Sequence, residues 1–170
     1  MNDRTDDMRS SDYPWSTKKL LSQQPTVGRV LDLSEESYGL LMRMAPDLQT
    51  LTGEYRSRLG GSMDLYLDVI EQTPYTTLVH LTYYFTHVVG DYPDPDAMLR
   101  VYHDSRQVDV VDLRQSSLPL DRWGTNPTLE QRWKINLFLS KWLRYCVEQG
   151  HSFLVNSRNL AAEFPMSQVG

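Results

Sequence analysis

The first regular pattern of apolar residues along the chain has the spacing of a helix. Apolar residues recur every three or four positions after Leu33, which predicts a helix with one buried stripe. Ser34 is a residue type that caps helix starts, and Leu33 can pack on Tyr38 across the first turn. Pro46 lacks a backbone donor, so the helix should end or kink there. The predicted stripe consists of Leu40, Leu41, Met44 and Leu48.

Farther along the chain, apolar residues alternate with polar ones, which is the pattern of strands with one buried face. Gly60 and Gly61 predict a turn that follows a shorter strand over residues 54–59. The β-branched and aromatic run at residues 75–85 predicts a strand after a turn at 72–74. A further strand lies between these two turns. One of its faces carries Met63, Leu65, Leu67 and Val69, and the other carries Asp64, Tyr66, Asp68 and Ile70.

Two more strands, over residues 97–103 and 107–113, complete the predicted sheet. Asp104 and Ser105 supply the turn between them. Residues 90–96 are acidic and rich in proline, and this composition predicts a loop before the strand at 97. The pattern therefore predicts an antiparallel meander of four to five strands.

The clearest helical pattern lies near the end of the chain. Thr128 with Gln131 can form a capping box, and Asn126 with Pro127 is an equal alternative for the helix start. Gly150 is a natural left-handed stop. The apolar stripe of this helix is Ile135, Leu139, Trp142, Leu143 and Cys146. Because a sheet face needs covering, we expect an α+β fold with both helices packed on one face of the meander.

Length and composition predict one domain with loose ends. A chain of 170 residues that is 40% hydrophobic suits a single core. Residues 1–32 are rich in polar residues and proline without a sustained period, which predicts a flexible amino-terminal tail. The predicted domain covers residues 33–155, and residues 156–170 form a second loose tail.

Charge and cysteine content limit the partners and the compartment. The net charge of -5 argues against a nucleic-acid partner, because that affinity depends on clustered Lys and Arg. The chain shows neither a secretory signal pattern nor a long apolar run, so we expect no membrane association. A single cysteine, Cys146, excludes an intramolecular disulfide. These features predict a cytoplasmic protein.

Three blocks of sequence carry a resemblance to a known family. They are ThrProTyrThrThrLeuVal at 73–79, LeuArgValTyrHisAsp at 99–104 and LysIleAsnLeuPheLeuSerLysTrpLeuArgTyrCys at 134–146. In this order and spacing, from about residue 34 to 151, the chain resembles the YqiB-like family of proteobacterial cytoplasmic proteins, which carry a domain of unknown function. The resemblance implies no established activity, substrate or cofactor. Members are often encoded beside enzymes of nucleotide signalling or turnover, which implies a nucleotide-linked role as one hypothesis.

His103 and Asp104 are the only candidates for a catalytic pair, since a carboxylate that orients an imidazole is what general-base catalysis needs. Neighbours on a strand point to opposite faces, however, so the structural interpretation places His103 at a strand end and Asp104 in a turn. The four histidines lack metal-site spacing, and no glycine-rich phosphate loop occurs. We therefore expect neither a metal nor a cofactor.

The sequence offers more candidates for binding than for catalysis. The final helix places basic and aromatic residues away from its apolar stripe, and strand tyrosines and arginines suit an interface. The candidate binding residues are Tyr75, Arg100, Tyr102, Trp133, Lys141 and Arg144. The preferred hypothesis is a non-enzymatic interaction or adaptor module with a protein partner or a small anionic ligand. The alternative is an enzyme or binding protein for a nucleotide-like or phosphorylated molecule, with His103 as base and Arg100 or Arg144 holding the anion. The oligomeric state stays open.

Overall fold

The computed structural model describes residues 25–87, 90–116 and 126–154, without the side chains of residues 85–92. Residues 1–24 and 156–170, which make up most of the two predicted tails, lie outside this description. The described elements are α1 (Val27–Met44), β1 (Gly53–Ser57), β2 (Leu65–Gln72), β3 (Thr76–His87), β4 (Gly90–Tyr102), β5 (Gln107–Arg114) and α2 (Leu129–Gln149). A short 3-10 helix over Leu48–Thr50 follows α1. None of the described helices is long and apolar enough to cross a membrane.

The five strands form one antiparallel sheet in the order β1-β2-β3-β4-β5. Each strand pairs with its neighbour in sequence, which confirms the predicted meander and the α+β class. Because the pairing is sequential, β1 and β5 are the two edge strands. The register aligns residues that share a face, so that Leu67 lies opposite Leu81 and Leu81 opposite Ala97.

The core lies on one face of this sheet, as the alternation of period two predicts. Leu65, Leu67, Val79, Leu81, Leu99 and Val101 all have at most 1% of their surface exposed. They pack in one cluster with the α1 residues Leu40, Leu41 and Met44 and the α2 residues Phe138, Leu139, Trp142, Leu143 and Cys146. Both helices therefore cover the same face. The alternate, mostly polar residues of each strand lie on the opposite face of the sheet.

Helix α1 begins earlier than the sequence predicts. Its cap is Thr26, whose side chain accepts a hydrogen bond from Arg29 N at 3.2 Å. Residues 27–32, assigned above to the amino-terminal tail, form the first turns of the helix. The early turns were missed because their apolar residues, such as Val27 and Leu31, are exposed and form no buried stripe. The end of the helix is confirmed, since α1 stops at Met44 with Ala45 as its C-cap, directly before Pro46.

Helix α2 has the ends that its sequence predicts. Thr128 accepts a hydrogen bond from Gln131 N, while the Gln131 side chain accepts one from Thr128 N, so the capping box is the alternative that forms. Gly150 ends the helix with φ of 95°, a left-handed conformation that favours glycine. The predicted stripe from Ile135 to Cys146 is buried.

The predicted loop at residues 90–96 is wrong, because these residues form the first half of β4 and pair with β3. Pairing of β4 with β5 starts only at Asp96, opposite Arg114. The earlier part of β4 has a single strand neighbour, and a strand with one free side tolerates proline, which lacks a backbone donor. The register also shifts between Thr82 and Tyr84, next to Pro93.

Ser34 joins α1 to the edge strand β5 instead of capping the helix. Its hydroxyl donates to Val108 O at 2.7 Å and accepts from Val108 N at 3.0 Å. Both bonds are buried and link residues 74 positions apart in the chain. One small side chain therefore satisfies both backbone groups of Val108 on the side of β5 that faces away from β4.

We expect Ser34→Ala to lower the free energy of unfolding by about 1–3 kcal/mol, because the buried N–H of Val108 loses its acceptor. Urea denaturation followed by circular dichroism measures this loss. Ser105→Ala, in the exposed turn after β4, is the matched control and should stay within about 0.5 kcal/mol of the parent chain. Equal stability of the two variants would contradict a structural role for the Ser34 hydroxyl.

Candidate functional site

A groove of about 650 Å³ runs between the edge strand β5 and the amino-terminal parts of both helices. We call it the edge groove. Val30 and Leu31 of α1 form one wall, residues 107–111 of β5 form the floor, and Arg132 of α2 lies at the opposite wall. Two predicted binding residues, Arg100 and Tyr102 of β4, also line it. Elements from both ends of the chain therefore build this groove together.

Arg100 and Tyr102 line the groove from the face of the sheet opposite the helices, so the groove extends around the edge strand β5. Leu99 and Val101 point into the core with no exposed surface, so the alternating Arg100 and Tyr102 lie on the opposite face. In the neighbouring strand, Arg100 lies opposite Asp109 and Tyr102 lies opposite Gln107. Arg100 and Tyr102, both predicted as binding residues, therefore share one face of the sheet.

The edge groove combines exposed aliphatic groups with arginines. Leu31 is 47% exposed and Val111 is 46% exposed, and both line the groove. Arg132 is held at the start of α2, where its Nε donates to Pro127 O at 3.4 Å. Within the described part of the chain, no carboxylate lies at ion-pair distance from Arg100 or Arg132. The groove therefore has both apolar surface and positive charge available to a partner.

Three other predicted binding residues lie around the contact between α1 and α2. Trp133 and Lys141 line a cleft of about 310 Å³ together with Glu36 of α1. Arg144 forms an ion pair with Glu36. Trp133 has only 3% of its surface exposed, so it does not lie on the solvated basic face that the sequence predicts. These side chains contribute to packing between the helices, which periodicity within α2 alone does not reveal.

Tyr75, the remaining predicted binding residue, lies in the turn before β3 and is 67% exposed. Its backbone oxygen accepts a hydrogen bond from His103 N at 2.9 Å. It is not among the residues that line the edge groove. The structure therefore places Tyr75 beside the end of β4, and it does not line the cleft that Trp133 and Lys141 share.

His103 lies at the end of the core and does not pair with Asp104. Gln72 donates to Leu48 O at 2.7 Å and to Leu51 O at 3.1 Å, which fixes its Oε1 as the acceptor for the Thr77 hydroxyl. The Thr77 oxygen in turn lies 2.8 Å from His103 Nε2, which therefore donates. Burial lowers the pKa of His103, and the nearby Asp104 opposes that shift.

Asp104 occupies the turn that the structural interpretation predicts. Its exposed carboxylate accepts a hydrogen bond from Ser105 N at 2.9 Å. His103 Nδ1 is buried and has no hydrogen-bond partner in the described structure. His103 lines neither the edge groove nor the cleft between the helices, so the structure does not bring it together with Arg100 or Arg144.

A second buried polar group lies at the other end of the core. His151, directly after the Gly150 stop, has its Nδ1 at 2.9 Å from Ser57 Oγ, and its ring packs on Tyr83. Burial lowers the pKa of His151, with Asp64 opposing the shift. Cys146 donates to Tyr83 OH at 3.3 Å, and burial raises the pKa of its thiol to about 12. This thiol suits packing, as its place on the apolar stripe predicts.

The face of the sheet opposite the core has a shallow hollow of about 440 Å³. Tyr66 and Tyr84 form one side of it with an edge-to-face contact, and their ring centroids are 5.0 Å apart. His80 lines the hollow and is hydrogen-bonded to Asp96 on the neighbouring strand. The sequence did not predict this pair, because the acidic, proline-rich composition around Asp96 indicated a loop. Only the register of β3 with β4 brings the two side chains together.

The two buried histidines should make the stability depend on pH. Their pKa values in the folded state lie below the ordinary 6.5, so the unfolded chain binds more protons just below that pH. We expect full stability above about pH 6.5 and a progressive loss as the pH falls below it.

Urea unfolding at a series of pH values between about 5 and 8 measures this loss. The double variant His103→Gln/His151→Gln should show a shallower dependence than the parent chain. Identical pH profiles for the two proteins would show that burial of these imidazoles is not the cause.

Comparisons with known proteins agree with the resemblance seen in the sequence. The model of a family described as protein of unknown function, DUF1249, matches residues 40–152. The chain is 30% identical over 130 residues to the uncharacterized protein YqiB of Escherichia coli strain K12, which covers 74% of this chain and 91% of that protein. The YqiB proteins of Escherichia coli O6:H1 and O157:H7 match to the same extent. No solved structure gives a significant match. The chain belongs to the DUF1249 family of YqiB-like proteins.

Proposed function

We propose that this protein is a non-enzymatic cytoplasmic interaction module and that the edge groove is its binding surface. The observation that carries the proposal is the groove itself, whose lining includes exposed Leu31 and Val111 together with Arg100 and Tyr102. Arginine and tyrosine are enriched where proteins bind, and exposed aliphatic groups gain most when a partner removes them from water.

The position of the groove supports a binding role. Its floor is an edge strand, and its walls are the first turns of two helices that the core fixes in place. The Ser34 hydroxyl bonds to Val108 and holds α1 against β5, so the groove is preformed. A preformed surface loses little conformational entropy when it binds a partner.

The surroundings of His103 favour an interaction module over the alternative of an enzyme for phosphorylated substrates. A general base must come within hydrogen-bond reach of its substrate. The Nε2 of His103 is engaged with Thr77, and its Nδ1 is buried. The arginines proposed for the anion, Arg100 and Arg144, lie in different places, and Arg144 is paired with Glu36.

Site-specific photo-crosslinking tests the proposed surface. A photoreactive phenylalanine analogue replaces Leu31 or Val111 in the groove, or Ile70, which is 49% exposed at the end of β2, as the control. In cells that naturally produce the protein, we expect a discrete protein adduct from each groove position and several-fold less from the Ile70 position. Equal adducts from all three positions, or adducts from Ile70 alone, would contradict the proposal.

A further inference from the structure

We propose that the edge groove binds an acidic peptide segment of a partner protein, with carboxylates on Arg100 and Arg132 and aliphatic side chains on Leu31 and Val111. This inference rests on the proposed function and adds the chemistry of the partner. The test below distinguishes a peptide segment from two other occupants, a second copy of the chain and a free phosphorylated compound.

The charge of the groove is opposite to the charge of the whole protein. The chain has a formal net charge of -5. Among the residues that line the groove, Arg100 and Arg132 are positive and Asp109 is the single negative residue, which gives a formal local charge of one positive unit. The groove therefore has the opposite sign of charge to the molecule as a whole, which favours an acidic partner at this site.

The state of Arg100 strengthens this inference. Its side chain is half-buried, and the described part of the chain supplies no carboxylate at ion-pair distance. Several other described arginines pair with carboxylates, such as Arg56 with Asp64 and Arg144 with Glu36. A guanidinium that is already partly removed from water gains more from an incoming carboxylate than a fully solvated one does.

The lining of the groove favours a peptide over a small phosphorylated ligand. Phosphate sites commonly use the free N–H groups at a helix start. At the start of α2, the capping box of Thr128 and Gln131 already engages backbone N–H groups. Six of the 14 residues that line the groove are aliphatic, including Val30, Leu31, Val110 and Val111, and they match the side chains of a peptide. The Ser34 hydroxyl already bonds to both the N–H and the C=O of Val108, so a peptide cannot pair with the backbone at this residue and must be recognised there through side chains.

Selection from a random peptide display library on the purified full-length protein tests the inference. We expect the enriched peptides to carry an excess of Asp and Glu with interspersed aliphatic residues. Synthetic peptides from the selection, labelled with a fluorophore, are then titrated with the protein and its variants. Arg100→Glu and Arg132→Glu should each weaken binding by about tenfold or more.

Two controls separate binding from folding. Arg43→Glu reverses a charge in the last turn of α1, outside the groove, and should leave the affinity unchanged. Arg132 is exposed in the early part of α2, where a glutamate suits the helix dipole, so Arg132→Glu should fold even if Arg100→Glu does not. Thermal unfolding of every variant accompanies the titrations.

The outcomes distinguish this inference from the function on which it rests. Selected peptides that lose binding with Val111→Asp but not with either arginine variant would keep the groove as the binding surface and overturn the acidic partner. Peptides insensitive to all three variants would overturn both proposals. A concentration-dependent dimer that Val111→Asp abolishes would assign the groove to a second copy. If the selected peptides are not enriched in acidic residues and inorganic phosphate displaces them from the protein, the groove would be assigned to a phosphorylated ligand.

Discussion

The burial of one face of the sheet against both helices is the interaction on which the rest of this structure depends. Leu67, Leu81 and Leu99 are excluded from water only because α1 and α2 lie on the same side of the meander. The hydrophobic free energy of that layer holds the helices in place, and at about 25 cal/mol per Å² it exceeds any polar contact in the fold. The position of α1 against β5 follows from it and is fixed further by the two bonds of Ser34 to Val108.

This one-sided packing separates structural from functional surface. The buried histidines His103 and His151 lie at the ends of the core, and each bonds through one ring nitrogen to a neighbouring hydroxyl group, that of Thr77 or Ser57. They contribute to stability and its pH dependence. The edge groove forms where the two helices pass the edge of the sheet, and there aliphatic and positively charged side chains meet solvent. Binding at this place does not require the core to rearrange.

Much of the fold follows from the sequence because alternation is a local signal. The buried faces of β2 and β3, the stripe of α2, its capping box and its Gly150 stop are all set by residues close together in the chain. The start of α1 was not predicted, because the first turns of the helix have no stripe of buried apolar residues. Residues 90–96 were assigned to a loop, because prolines are common in loops and also occur in a strand that pairs on only one side. Of the residues that line the edge groove, the sequence pattern singled out Arg100 and Tyr102 as binding candidates. Leu31, Val111 and Arg132 join them in its lining through tertiary packing that no local pattern encodes.

The core face of the sheet is closed, and the residues of the edge groove are open to solvent. Hydroxyl-radical footprinting with mass spectrometry measures this directly. We predict ready modification of Leu31, Val111 and Tyr75 and strong protection of Tyr83 and Trp142, which have no exposed surface. Protection of Leu31 and Val111 equal to that of the core residues would show that the groove is closed, and would contradict its assignment as the binding surface.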